Sequence, residues 1–134
     1  EKIIPALKKG YIVLCDRFID SSLAYQGYAR GLGVKEIFAI NRFAIEDMMP
    51  HITLYFDIEP KIGLERIHQH KNREINRLDL ENIEFHSNVR KGYTELIKMY
   101  PERIYKIDAS KPIEIVYKDA EGKINDYISA RKTK

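Results

Sequence analysis

Residues 11–33 read YIVLCDRFIDSSLAYQGYARGLG, and the break inside this stretch decides how the whole chain is read. It opens with five apolar residues, Tyr11 to Cys15, that do not alternate with polar ones. Such a run predicts a strand covered on both faces, as in a parallel sheet. The composition then turns at once to an acid, a base, two hydroxyl residues, a Tyr-Gln pair and three glycines. A strand ending in a polar cluster is how an open α/β sheet presents a site, because ligands bind beyond the carboxyl ends of its strands.

Upstream, residues 1–9 carry Ile3, Ile4 and Leu7 on one side and lysines at the end. Lysines in a last turn followed by Gly10 predict a helix C-terminus. Downstream, Gly27, Gly31 and Gly33 punctuate a short helix and its exit. Residues 34–49 spread apolar side chains over a broad arc, which predicts a helix buried on more than one side and stopped by Pro50. Ile52 to Ile58 is a second apolar strand, with Asp57 near its end, and Pro60 starts a helix to about Gln69. Residues 70–79, HKNREINRLD, have no apolar face and read as an exposed loop. A helix from about Leu80 to Met99 follows, then a third strand, Arg103 to Asp108, and a last helix opened by Pro112. Strands alternating with helices predict a parallel α/β sheet with right-handed crossovers.

The 134 residues suffice for one domain with a sizeable core, and a chain 44% hydrophobic and 32% charged is not of disordered composition. The net charge of +3 suits a protein that handles anions but is too weak to argue for nucleic acid. One cysteine, Cys15, excludes an internal disulfide framework and points to a reducing, cytoplasmic setting. Its place in the apolar run predicts an inert buried thiol. No apolar run approaches the ~18 residues of a membrane span. His68 and His70, two apart on a helix, face different ways and make a poor metal pair.

Three segments in order, DRFIDSSLAYQG, then ITLYFDI followed by GLERI, then NRLD with EFHSNVRKGY, resemble the thymidylate kinase family. These are phosphate-transferring enzymes of the P-loop kinase group, and the resemblance spans nearly the whole chain. It implies a three-layer α/β fold of P-loop kinase type, here a partial parallel sheet of roughly three strands without the P-loop strand. The whole of 1–134 is then one partial domain, its acceptor-nucleotide site at about 11–33 and its lid at about 70–79. The implied reaction is ATP-dependent phosphorylation of thymidine monophosphate to the diphosphate, with Mg²⁺, in a homodimer and without nucleic acid or membrane as partner.

Residue by residue, the resemblance implies that Arg17 holds the acceptor phosphate and that Asp16 orders the magnesium and phosphate region indirectly. Ser22 and Gln26 contact the thymine edge, with Ser21 beside them, and Tyr25 packs against the deoxyribose. Arg73 and Arg77 are the lid arginines that close over the transferring phosphoryl group, and Arg66 lies on the nucleotide side of the lid. The chemistry suits these residue types. Phosphoryl transfer needs alignment and charge compensation, and arginine's planar fork pairs two phosphate oxygens without losing its charge. An amide supplies the donor and acceptor that a thymine edge demands. One of Ser21 and Ser22 is expected to cap the helix that begins there. Gly27 is read as allowing close approach beside Gln26.

The family's phosphate-binding loop, Gly-x-x-x-x-Gly-Lys-Ser/Thr, does not occur in these residues. The chain therefore reads as the C-terminal two thirds of such an enzyme. Two other readings stand beside this one. The first is a non-catalytic paralogue that binds nucleotide monophosphate or dimerises, motivated by the apolar helix 34–49. The second is a deoxynucleoside kinase, which also places an acid-Arg pair after this strand but which AYQG argues against.

Overall fold

The computed structural model describes residues 2–45, 48–69 and 83–132. The chain forms two compact units, Glu1–His51 and Ile52–Lys134. The lid segment 70–79, with Arg73 and Arg77, lies outside the described residues.

In the first unit, helix α1 spans Ile3–Lys8 and ends as its lysines and glycine predict. The Gly10 amide donates to the Leu7 carbonyl at 2.9 Å and the Tyr11 amide to that of Ala6 at 3.1 Å. Gly10 takes a φ of 81°, the left-handed conformation this paired closure requires. The next run does not become the predicted strand. Residues 11–15 belong to no ladder among the described residues, and Leu14 is 82% exposed. Apolar composition makes a segment suited to a buried strand, but a strand exists only through hydrogen bonds to a neighbour. Here the described sheet holds two strands, not three. The expectation for Cys15 falls with it: the thiol is exposed.

A bend at Asp16 and Arg17 leads into helix α2, Ile19–Ser22, which continues without a break as a π-helix, Leu23–Ala29. Its wide winding shows in the Arg30 amide, which reaches back five residues to the Tyr25 carbonyl at 3.1 Å. Helix α3 covers Val34–Ala44, shorter than the predicted 34–49. Nor is it buried on several sides: Ile37 is its one buried residue, and Phe43 is 90% exposed. The core of this unit is Ile19, Leu23 and Ala24, with Ile37.

The second unit holds the sheet. Strand β1, Thr53–Asp57, pairs in parallel with β2, Ile104–Asp108, in a register that sets Thr53 beside Ile104 and Asp57 beside Asp108. Between them run helix α4, Pro60–Gln69, and helix α5, Ile83–Met99; helix α6, Ile113–Lys132, follows β2. Proline opens α4 as predicted, its missing amide costing nothing in a first turn.

Side chains alternate across the sheet, and this assigns the layers. Tyr55 stacks on Tyr93 of α5, centroids 4.1 Å apart. Tyr105, one register position out of phase and so on the other face, lies under Lys123 of α6 at 5.2 Å. Helices thus cover both faces of a parallel sheet, the α/β layering expected. Burial agrees: α5 buries Val89, Gly92 and Leu96 along one stripe, and β2 buries Ile104 and Ile107, which point to opposite faces. Among the described residues no helix is long and apolar enough to cross a membrane.

Candidate functional site

In the first unit the polar cluster forms at the bend that ends residues 11–15. Arg17 sits there with a φ of 62°, the left-handed region, and it is the one non-glycine residue described with a positive φ. An L-residue in that conformation costs about 1–2 kcal/mol, and such strain collects at functional sites.

The side chain is held on two sides. Its Nε donates to Ser21 Oγ at 3.1 Å, and its guanidinium carbon lies 4.5 Å from the centre of the Tyr25 ring. Ser21 is 7% exposed, so this acceptor is a fixed part of the interior. Ser21 and Tyr25, four apart along the helical run, lie near one side of it, and the left-handed bend ahead of α2 brings Arg17 to them.

Of the other expected site residues, Asp16 and Gln26 are exposed, and Ser22 is half-buried. Neither serine caps the helix. Phe18 occupies the N-cap position without a side-chain bond, because α2 starts ahead of both serines. Ser21 serves Arg17 instead. Gly27 allows a close approach, here of the chain's own backbone. A Cβ there would stand 2.9 Å from Val34 Cα and 3.2 Å from the Gly33 carbonyl oxygen, so the absent side chain lets the start of α3 pack against the π-helix.

In the second unit Arg66 is exposed and donates to two carbonyls of the loop after β2, Nη1 to Ala109 and Nη2 to Ser110, each at 2.6 Å. That loop is also tied to β1 by the Ala109 amide, which donates to the Asp57 carbonyl at 2.8 Å. Asp108 accepts from the Ser110 hydroxyl and amide, and both bonds hold its carboxyl below the usual range.

At the end of β1, Asp57 is the centre of a network that the sequence does not announce. It receives a two-pronged bond from Arg90 of α5, a bond from the Tyr55 hydroxyl at 3.1 Å, and Lys106 at 3.9 Å. The Arg90 hydrogen bond holds the Asp57 carboxyl below its ordinary range. Burial first, and then the neighbouring Asp57 charge, push the Tyr55 hydroxyl well above its ordinary value. Asp57, Arg90 and Lys106 border an open cavity of about 410 Å³, also lined by Glu59, Lys91 and Thr94. The sequence marks Asp57 as a strand-end acid, but nothing in it pairs that acid with an arginine 33 residues on.

Among the described residues no group of three metal-ligating side chains gathers. Asp16, next to Arg17 in the chain, is an exposed carboxylate. Mg²⁺ in general keeps several waters and is bound through one or two carboxylates together with phosphate oxygens.

The thymidylate kinase family model matches residues 1–120. A thymidylate kinase of Anoxybacillus flavithermus is 63% identical over 119 residues, 89% of this chain and 57% of that protein. One of Geobacillus thermodenitrificans is 61% identical over 119 residues, covering 53% of its own length. One of Clostridium novyi is 57% identical over 122 residues, covering 60% of its length. The chain thus spans little more than half the length of these curated relatives. A family match over residues 1–120, a range that takes in the Arg17 bend, the π-helix and both strands, leaves one conclusion: the chain belongs to the thymidylate kinase family.

Proposed function

We propose that this chain carries the acceptor-nucleotide part of an enzyme that phosphorylates thymidine monophosphate to the diphosphate with ATP. The observation that carries this reading is Arg17, strained at its backbone and held at its guanidinium, at the end of residues 11–15. A guanidinium so fixed suits a phosphate dianion, which it can pair through two parallel N–H bonds. Ser22 and Gln26 then take the thymine edge, with Ser21 behind them, and Tyr25 takes the deoxyribose. Asp16 would help hold Mg²⁺ indirectly, and the ion, when bound, would supply charge neutralisation for the phosphates.

Arg66 and the Ala109–Ser110 loop belong to the ATP side. Arg73 and Arg77 of the lid segment 70–79 deliver positive charge on closure, which couples charge compensation to the exclusion of water. The whole of 1–134 acts as one partial domain. The enzyme works as a homodimer, a reading supported by the exposed apolar side chains Ile40 and Phe43 on α3.

Joining the chain to the phosphate-binding segment of a family member tests this. The chimera should convert thymidine monophosphate and ATP to the two diphosphates, and should do so poorly with other monophosphates. A folded chimera without transfer to thymidine monophosphate would rule the reading out.

A further inference from the structure

Arg17 has five N–H donors in a planar fork, and the structure uses them unequally. The Nε–H is spent on Ser21 Oγ at 3.1 Å, and the guanidinium carbon lies over the Tyr25 ring, 4.5 Å from its centre. What this leaves is the outer edge, Nη1 and Nη2, the edge that pairs two oxygens of one anion. A long side chain on a bend would otherwise sample many rotamers, and binding would have to order it. Ser21, buried to 7% exposure, has no surface of its own to offer a ligand, yet its hydroxyl sets the angle of the fork.

We propose that Ser21 and Tyr25 are positioning residues for Arg17, holding its guanidinium as a preformed receptor for the phosphate dianion of a nucleoside monophosphate. This rests on Arg17 as the phosphate holder and adds what makes it one. Phosphate recognition then belongs to three residues spaced 17, 21 and 25. Tyr25 gives its ring to the arginine. The π-helical winding from Leu23 onward is the local structure that carries Tyr25 to this place.

The test has two readouts, one of them independent of any ligand. In ¹⁵N-labelled protein, the Arg17 Nε–H resonance of the free wild type should exchange slowly with water and be shifted by the Tyr25 ring current. Ser21→Ala should speed that exchange about tenfold, as loss of one hydrogen bond implies, and Ser21→Thr should restore it. Tyr25→Leu should abolish the ring-current shift, and Tyr25→Phe should keep it.

The second readout is the ratio of affinities for thymidine monophosphate and thymidine, which isolates the phosphate. It should fall about tenfold in Ser21→Ala and Tyr25→Leu and stay near wild type in Ser21→Thr and Tyr25→Phe. An intact resonance signature with an unchanged ratio in both damaging variants would overturn the proposal. So would a wild-type Nε–H that is unshifted and in fast exchange. If the wild type bound neither nucleotide nor nucleoside, the thymidylate reading itself would fail. Inorganic phosphate then decides the receptor: it should shift the Arg17 resonance in wild type and not in Ser21→Ala, and equal response in both would refute it.

Discussion

Arg90 meets the carboxylate of Asp57 edge-on, Nε to Oδ1 at 2.8 Å and Nη2 to Oδ2 at 3.1 Å, and so pins helix α5 to the end of strand β1. The two side chains differ in exposure, 12% for the acid and 41% for the arginine, so water screens one partner and not the other. Arg90→Ala should therefore cost about 1–2 kcal/mol, below the value for a fully buried pair. Urea unfolding reads this. The acid side of the stability profile carries the same information. Asp57 ionises more readily folded than unfolded, so its contribution is present above about pH 4 and fades as pH falls through the folded value. Tyr55 works in the opposite sense. Its raised pKa contributes stability below about pH 10 that is lost as pH rises further. Asp57→Asn should flatten the acid limb, and Tyr55→Phe the alkaline one.

Two glycines should respond to alanine with opposite signs. At Gly27 a new Cβ meets the backbone of Val34 at 2.9 Å, and backbone cannot swing aside. Gly27→Ala should destabilise by about 1–3 kcal/mol. At Gly122, inside α6, a Cβ meets nothing within 4 Å. Gly122→Ala should stabilise by about 0.5–1 kcal/mol through helix propensity. Thermal denaturation of the two variants checks the pair.

Arg17 allows a test of backbone strain separate from any role of its side chain. Both Arg17→Gly and Arg17→Ala remove the guanidinium, but only glycine accepts a φ of 62° without cost. The glycine variant should be about 1 kcal/mol more stable than the alanine variant, the reverse of the order expected in ordinary helical or extended backbone. Equal stabilities would mean that the bend relaxes when the side chain is lost.

These residues also show how far the sequence can be read. Strands β1 and β2 and helix α4 stand where apolar runs and Pro60 place them, because those signals are local. The Tyr11–Cys15 run carries the same signal and forms no strand, since pairing depends on a neighbour that composition cannot describe. Helix α3 stops at Ala44, and its apolar arc stays largely uncovered for a similar reason: periodicity tells which side chains want burial, not what buries them. In the candidate site, the Asp-Arg pair and the following Ser-Ser and Tyr-Gln pairs are visible as residue types. The exchange of a helix cap for an arginine acceptor at Ser21 is not visible, because it turns on a one-turn difference in where α2 begins. Asp57 is legible as an acid at a strand end, whereas Arg90 becomes its partner only through the packing of α5 on the sheet.

The central claim is that Arg17 recognises the phosphate of thymidine monophosphate, and calorimetric titration of wild type and Arg17→Ala with thymidine monophosphate and with thymidine addresses it most directly. Wild type should bind the monophosphate more tightly than the nucleoside, and Arg17→Ala should lose about 10- to 100-fold in affinity for the monophosphate, the range for charge-assisted bonds, with thymidine binding little changed. An Arg17→Ala variant that binds thymidine monophosphate as tightly as wild type would contradict it.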